Sequence, residues 1–450
     1  MAEKQLPRLF IVGGGFAGLA AAKALDGARA EVTIVDRRNH HVFQPLLYQV
    51  ATAALSPADI SASIRTVVRK IANCQVVLSE VIGVDVEKRR VIFKRGYAEY
   101  DYLILAGGAT HAYFGHDEWA TVAPGLKSLE DAITLRRRIL LAFETAEYEG
   151  NLEARRAALT FGIVGGGPTG VELAGAIKEI AGQTLSKDFR HIDTTTTRVI
   201  IFQGGDRILP QFPHELSGYA KKHLEDLGVE VRLNARVTNI TSQGLQVGEE
   251  FIPVRTVFWA AGVQANPLGK SLGTPVDPSG RVEVLPDLTI PGHPEVFVVG
   301  DLAAAKSAKS GEPVPGVAQG AIQMGHYAGS TIANEIMGRS QVADRAPFSY
   351  HDKGSLAVIG KARAVAHVGS LNVRGFTAWI VWAIVHIAFL IGFRNRTIVL
   401  LNWFWNWLLN SRDARLITGD SQIDVELPRS PNFVPNEAAS ERSDAKAPDA

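Results

Sequence analysis

Two glycine clusters hold the chemistry of this chain. The first, Gly13-x-Gly15-x-x-Gly18 with Phe16 and Ala17 inside it, follows the apolar run RLFIV and opens an alanine-rich run. That order reads as a buried strand, a turn and a helix. The first glycine permits the tight turn, the second lets the backbone approach a pyrophosphate, and the third lets helix and strand pack closely. The positive end of the helix draws phosphates in. The next run, AEVTIVD, ends at Asp36, placed to accept hydrogen bonds from a ribose diol. A glycine pattern alone also fits a turn without a ligand. The strand, helix and acid around this one point to a dinucleotide. A later strand, PEVFVVGD, ends in Gly300-Asp301.

The second cluster, Gly165-x-Gly167-x-x-Gly170, repeats the pattern 152 positions on, with Pro168 and Thr169 as good first residues of a helix. The acid that should end its second strand is replaced: VIIFQ aligned with VTIVD puts Gln203 there. An acid at that position binds the 2′-hydroxyl of NADH and repels the 2′-phosphate of NADPH. Glutamine keeps the hydrogen bonding and imposes no repulsion, so NADH is the expected substrate and NADPH is expected to be only weakly rejected. Arg207 reads either as a phosphate contact or as a solvated surface arginine. Glu172, just past Gly170, reads either as an acid stabilising a helix start or as a group beside the redox rings.

These motifs need two Rossmann-like α/β domains. LAGGAT (105–110) and FWAAGV (258–263) are matching strand ends in the two halves, which puts Gly262 in the second site. Because PEVFVVGD returns late, the second domain reads as inserted into the first. The composition adds exclusions. Net charge is +1, so no field points to nucleic acid. Cys74, which reads as strand core, is the single cysteine, so no internal disulfide or cysteine-built metal site exists. Histidine spacing gives no metal motif either. The first residues show no basic segment followed by an apolar core, so no leader is expected.

Taken together, the fingerprints, "LAGGAT", "FWAAGV" and "VFVVGD" resemble the two-dinucleotide-binding-domain flavoproteins. NHHVFQPLLYQVATAAL (39–55), GVAQGAIQMGHYAG (316–329) and the pair HIAFLIGFRNR and LNWFWNW resemble, within them, the type II NADH dehydrogenases. The resemblance implies FAD in the first site and NADH in the second, with hydride passing to the flavin and two electrons on to a membrane quinone. It implies that Asp301 contacts the flavin's ribityl chain. It places Ala318 and Gln319 at the flavin ring and quinone pocket, and leaves open whether Glu172 and Gln319 relay protons. The expected segments are an FAD-binding part at 1–115, an NAD(P)H-binding domain at 116–284, a second FAD-binding part at 285–346, a membrane-associating module at 347–425 and a disordered tail at 426–450. A homodimer is expected from family habit.

Quinones dissolve in lipid, which gives a reason for the stretch Phe376–Gly392, free of Asp, Glu, Lys and Arg. With Phe393 it would make an 18-residue helix of roughly 27 Å, at the short end for a bilayer core of about 30 Å. It reads as a span, a core helix or a surface-lying helix. The tryptophans and asparagines of TIVLLNWFWNWLL favour the surface. Residues from about 375 to 415 are therefore expected to meet lipid, with Arg394, Arg396, Arg412 and Arg415 facing anionic headgroups. His386 reads as an interior histidine or a group near the quinone mouth. The expected place is the cytoplasmic face of the inner membrane, peripherally bound. Sulfide:quinone oxidoreductases and disulfide reductases need paired cysteines and are set aside. A ferredoxin reductase-like flavoprotein and a flavin-binding redox sensor are the alternatives.

Overall fold

The computed structural model describes residues 6–409, 412 and 414–418; the tail expected at 426–450 lies outside them. Strand β1 (Arg8–Val12), helix α1 (Phe16–Ala24) and strand β2 (Glu31–Asp36) form the first unit, followed by helix α2 (Leu47–Ala51) and strands β3 (Cys74–Leu78) and β4 (Tyr102–Leu105). Strand β5 (Ala109–His111) and helix α3 (Leu129–Tyr148) lead to a second unit: β6 (Thr160–Val164), α4 (Pro168–Glu179), β7 (Arg198–Phe202), β8 (Val229–Arg232) and β9 (Thr256–Trp259). Strand β10 (Val263–Ala265) leads back to β11 (Thr289–Ile290), β12 (His293–Val298) and helix α5 (Ala318–Ile336). Strands β13 (Ser355–Gly360), β14 (Arg363–Val368) and β15 (Leu371–Gly375) then precede helices α6 (Phe376–Phe389) and α7 (Phe393–Leu409).

The first sheet runs β11-β12-β4-β1-β2-β3 and the second β8-β7-β6-β9. All pairings are parallel except β11 with β12. Parallel strands are covered on both faces, which is why they read as unbroken apolar runs. Ile11 sits between Ile34 and Ile104 in register, and Ile163 between Ile201 and Phe258. All six are essentially inaccessible to solvent. Cys74 departs from its expected core position: β3 is the sheet's edge strand, and the cysteine is only half-buried. The two crossings between the sheets pair with each other, β5 antiparallel to β10.

Small residues set the position of α5. A Cβ on Gly325 would stand 2.1 Å from the carbonyl oxygen of Ala17, and one on Gly329 would stand 2.5 Å from that of Ala21. Helices α1 and α5 therefore touch backbone to backbone, which brings the start of α5 beside the start of α1. The three-stranded antiparallel sheet β13-β14-β15 docks on α4 in the same way, at Gly175.

The apolar stretch near the C-terminus is not one 18-residue helix. Helix α6 ends after 14 residues at Phe389. The chain turns at Gly392, whose φ is +91°. Arg396 caps the freed carbonyls, its guanidinium donating to Leu390 O at 2.7 Å and Ala388 O at 2.8 Å. Among the described residues no helix is long and apolar enough to cross a membrane.

The α1–α5 contact predicts that Gly325→Ala costs about 1–3 kcal/mol of stability by overpacking. Gly218, in the helix His214–Asp226, would have its Cβ in open space. Gly218→Ala should be neutral or slightly stabilising. Urea unfolding of the two variants checks the pair.

Candidate functional site

A cavity of about 780 Å³ opens at the carboxyl ends of β1, β2 and β4, where open α/β sheets bind their ligands. Its wall includes Gly13, Gly15, Phe16, Ala17, Asp36, Gly300, Asp301 and Ala318. Gly13, at φ +109°, could carry no Cβ, which would lie 2.4 Å from Ala106 O. At Gly15 a Cβ would meet nothing, so the turn leaves room for a pyrophosphate. Gly18 lies behind the wall and lets α1 rest on the turn; its Cβ would stand 1.8 Å from Gly13 O. Asp36 accepts from Gly14 N at 2.6 Å and Arg38 N at 2.7 Å. The residues fit a dinucleotide. Gln319 is not in this wall; its Oε1 is buried and has no partner.

Two further cavity groups, Lys127 and His41, are placed by contacts the sequence does not show. Lys127 donates to Asp301 Oδ2 at 3.4 Å, so the charge of this acid is partly offset. Lys127 lies 174 positions from Asp301, and only the fold brings them together. His41 donates through Nδ1 to Gly14 O at 3.3 Å, and burial lowers its pKa to about 4. It is neutral at pH 7, and its buried Nε2 has no partner.

The second fingerprint copies the first. Gly165 has φ +111°, and its Cβ would lie 2.5 Å from Ala260 O. Gly170 rests on Gly165 O as Gly18 rests on Gly13 O, and Gly167, like Gly15, faces open space. Pro168 and Thr169 begin α4. Gln203 Oε1 accepts from Gly166 N at 2.8 Å, the bond Asp36 makes to Gly14 N. Glutamine thus keeps the structural half of the acid's role and drops its charge. Arg207 turns along its own loop and donates to Pro210 O at 2.8 Å. Gly262 lies in the link between β9 and β10, and a Cβ there would lie 2.5 Å from the Phe114 ring.

Beyond α4 lies a chamber of about 120 Å³ walled by Trp379, Trp382, Trp403, Trp407, Tyr48 and Glu172. Glu172 accepts from Val358 N at 3.3 Å, and desolvation raises its pKa to about 8. Burial also pushes the Tyr48 phenol well above its ordinary value, with the nearby Glu172 adding to it. A chain of bonds holds Tyr48: Trp403 Nε1 donates to Gln49 Oε1 at 2.7 Å, and Gln49 Nε2 donates to the Tyr48 hydroxyl at 3.0 Å. Arg412 closes the chamber, paired with Glu179 at 2.9 Å and donating to Thr52 O and Ala176 O.

Ring contacts bridge cavity and chamber. Phe16 meets Phe43 at 5.9 Å, Phe43 meets His386 at 6.0 Å, and His386 stacks on Trp382 at 4.3 Å. His386 donates to Trp382 O at 2.7 Å, and burial lowers its pKa to about 4, so it is a neutral ring in this stack.

Helix α7 faces the opposite way to an ordinary surface helix. Asn395, Asn402 and Asn406 turn inward to Ser61 O, Asp59 and Ala54 O. Phe393, Leu400, Leu401, Phe404, Trp405 and Leu408 face out, each at least half exposed. Each of the arginines expected to face lipid has a protein partner, and Arg394 and Arg396 are exposed as well. Arg412 is enclosed in the chamber, Arg396 caps α6, Arg415 pairs with Asp188, and Arg394 donates to Asn395 Oδ1 at 3.4 Å. The sequence shows their charge but not their partners, which come from α4 and the helix ends.

The pyridine nucleotide-disulphide oxidoreductase family model matches residues 7–325, and the NDH2 C-terminal domain model matches residues 352–413. Two Mycobacterium tuberculosis proteins, called type II NADH:quinone oxidoreductase Ndh and NdhA, are 45% and 44% identical, over 91% of this chain and 90% and 89% of theirs. The structure of NDH2 from Plasmodium falciparum in complex with NADH superimposes with a TM-score of 0.82 at 20% identity, covering 89% of this chain and 98% of that one.

The bond at Gln203 yields a clear test. Gln203→Glu keeps the acceptor for Gly166 N and adds a charge where a bound ribose is expected. The ratio of kcat/KM for NADPH over NADH should fall by at least about tenfold, as one repulsive contact of about 1.4 kcal/mol implies. An unchanged ratio in steady-state assays would show that position 203 does not read the ribose.

Proposed function

The chain belongs to the pyridine nucleotide-disulphide oxidoreductase family and, within it, to the type II NADH:quinone oxidoreductases, and on that premise we propose which residues carry each part of the work. The enzyme oxidises NADH and reduces a quinone. The balanced reaction, NADH + H⁺ + quinone → NAD⁺ + quinol, takes one proton from the medium per turnover. The match of the C-terminal module favours this reading over a ferredoxin reductase-like protein or a redox sensor.

The flavin of this family is FAD, held in the larger cavity. The turn at Gly13–Gly15 takes its pyrophosphate, Asp36 its adenosine ribose, and Asp301 with Lys127 its ribityl chain. Bound there, FAD supplies the two-electron relay between nicotinamide and quinone. The start of α5, at Ala318 and Gln319, aims its positive end at the ring, and the unpartnered Gln319 Oε1 is free to accept a bond. NADH is held by the second fingerprint, from Gly165 to Gly170, with Gln203 at its adenosine ribose and Gly262 on the other side. The segments 1–115 and 285–346 serve FAD, 116–284 serves NADH, and 347–425 serves quinone and lipid.

The quinone ring enters the tryptophan chamber. The observation that carries this is the carboxyl of Glu172, enclosed in an aromatic pocket with its pKa raised to about 8. At neutral pH it carries the proton that quinol formation needs, within a wall suited to a flat apolar ring. The outward apolar face of α6 and α7 lies in the lipid surface, which delivers quinone without a spanning helix. The enzyme sits peripherally on the cytoplasmic face of the inner membrane and works as a homodimer.

Two measurements test this. Below pH of about 8 Glu172 is neutral and can donate; above it the carboxylate cannot. The rate with saturating quinone should therefore fall as pH rises through about 8. Glu172→Gln, which still accepts from Val358 N, should lower that rate roughly 10- to 100-fold and flatten the limb. A variant keeping the wild-type rate and profile would remove Glu172 from the proton route. For the membrane, Leu401→Glu with Leu408→Glu should cut co-sedimentation with lipid vesicles by more than about tenfold, since charges are costly in the apolar layer. Soluble NADH oxidation with a water-soluble quinone should be retained.

A further inference from the structure

Phe114 stands out on three counts. It has φ +54°, a conformation that an aromatic residue holds only when its surroundings impose it. The residue is 67% exposed, although Trp259 packs beside its ring at 6.1 Å. And it occupies a particular volume beside Gly262.

The internal symmetry of the chain identifies that volume. Ala106 and Ala260 touch Gly13 and Gly165 in the same way, so Gly108 and Gly262 are equivalent positions. In the first half, a Cβ at Gly108 would meet nothing, and the space beyond belongs to the dinucleotide cavity. In the second half, a Cβ at Gly262 would meet Phe114 Cζ at 2.5 Å and Cε2 at 3.0 Å. The ring thus borders the space that the cofactor uses in the first half. The strand order says which part of the ligand is concerned. Gln203 follows β7, on one side of β6, and Gly262 follows β9, on the other. A dinucleotide lying across the end of β6 with its adenosine ribose at Gln203 directs its redox half towards Gly262.

The backbone is tied down there. Ala112 N donates to Gly262 O at 3.2 Å, and Trp259 Nε1 donates to Ala112 O at 2.9 Å. Tyr113, Trp119 and Trp259 back the turn from inside. The strained residue is held outward by a buried aromatic cluster rather than left loose.

We propose that Phe114 is a binding residue of the nicotinamide half of NADH, its ring packing on the nicotinamide riboside portion and shielding it from water. The inference rests on the NADH reading given above. It is tested with Phe114→Ala and Phe114→Leu in the flavin-loaded enzyme. NAD⁺ affinity is measured by titration calorimetry and NADH-driven flavin bleaching by anaerobic stopped flow. Phe114→Ala should raise both the NAD⁺ Kd and the NADH concentration for half-maximal bleaching by about tenfold. Phe114→Leu should lie between it and wild type, and the KM for quinone should not move in either. Wild-type NAD⁺ affinity in a well-folded Phe114→Ala would overturn the proposal. If that variant loses flavin, an unchanged affinity in Phe114→Leu together with unchanged bleaching overturns it instead. If wild type itself is not bleached by NADH, the enzymatic reading fails, and not merely the role of Phe114.

Discussion

A Cβ at Gly175 would lie 1.9 Å from the carbonyl oxygen of Ile359. Helix α4 and strand β13 therefore meet backbone to backbone, and much of the site depends on that contact. The same helix begins at the second fingerprint, carries Glu172 one turn later, and ends at Glu179, which pairs with Arg412. With β13 so close, Val358 N reaches the Glu172 carboxyl, and the glutamate is left only partly exposed. A side chain at 175 would push the C-terminal sheet outward, and the chamber between them would lose its wall. One rigid element thus relates the second glycine turn, Glu172 and the pair that holds Arg412.

The nucleotide folds were legible from sequence because their signals are local. The glycine turns, the apolar strands beside them and the acid or its replacement lie within about forty residues of each other. The structure places Asp36 and Gln203 on equivalent amides, Gly14 N and Gly166 N. What the sequence hid is long-range. Lys127 reaches Asp301, Trp403 reaches Gln49, and Arg412 reaches Glu179 across more than 170 positions each. The partners of Arg412 and Arg415, at Glu179 and Asp188, are hidden for this reason. Charge near an apolar helix suggests lipid headgroups, and only tertiary contact shows that Arg396 caps a helix and Arg412 closes a chamber. The apolar stretch was also misjudged in length, because the turn at Gly392 and the cap from Arg396 are invisible in a hydropathy pattern.

Helix α7 shows how polarity can be inverted without violating the rules of burial. Its asparagines are inside, and each finds a carbonyl or carboxylate in the segment 54–61. Its leucines and aromatics are outside, where water would be a poor neighbour. Hydrogen bonds hold the helix to the body and leave its apolar face outward. The tryptophan chamber lies directly under this helix, with Trp403 in its wall.

The bond between Gln203 and Gly166 carries a consequence for how such enzymes diversify. The turn needs an oxygen acceptor at position 203, and an amide supplies it as well as a carboxylate does. At a position of this kind the demand of folding falls on the side chain's oxygen, and the choice of nucleotide falls on its charge. Exchange between acid and amide leaves the fold's requirement met while the repulsion is switched on or off. Coenzyme preference at this position can drift in evolution along a path on which every intermediate still folds.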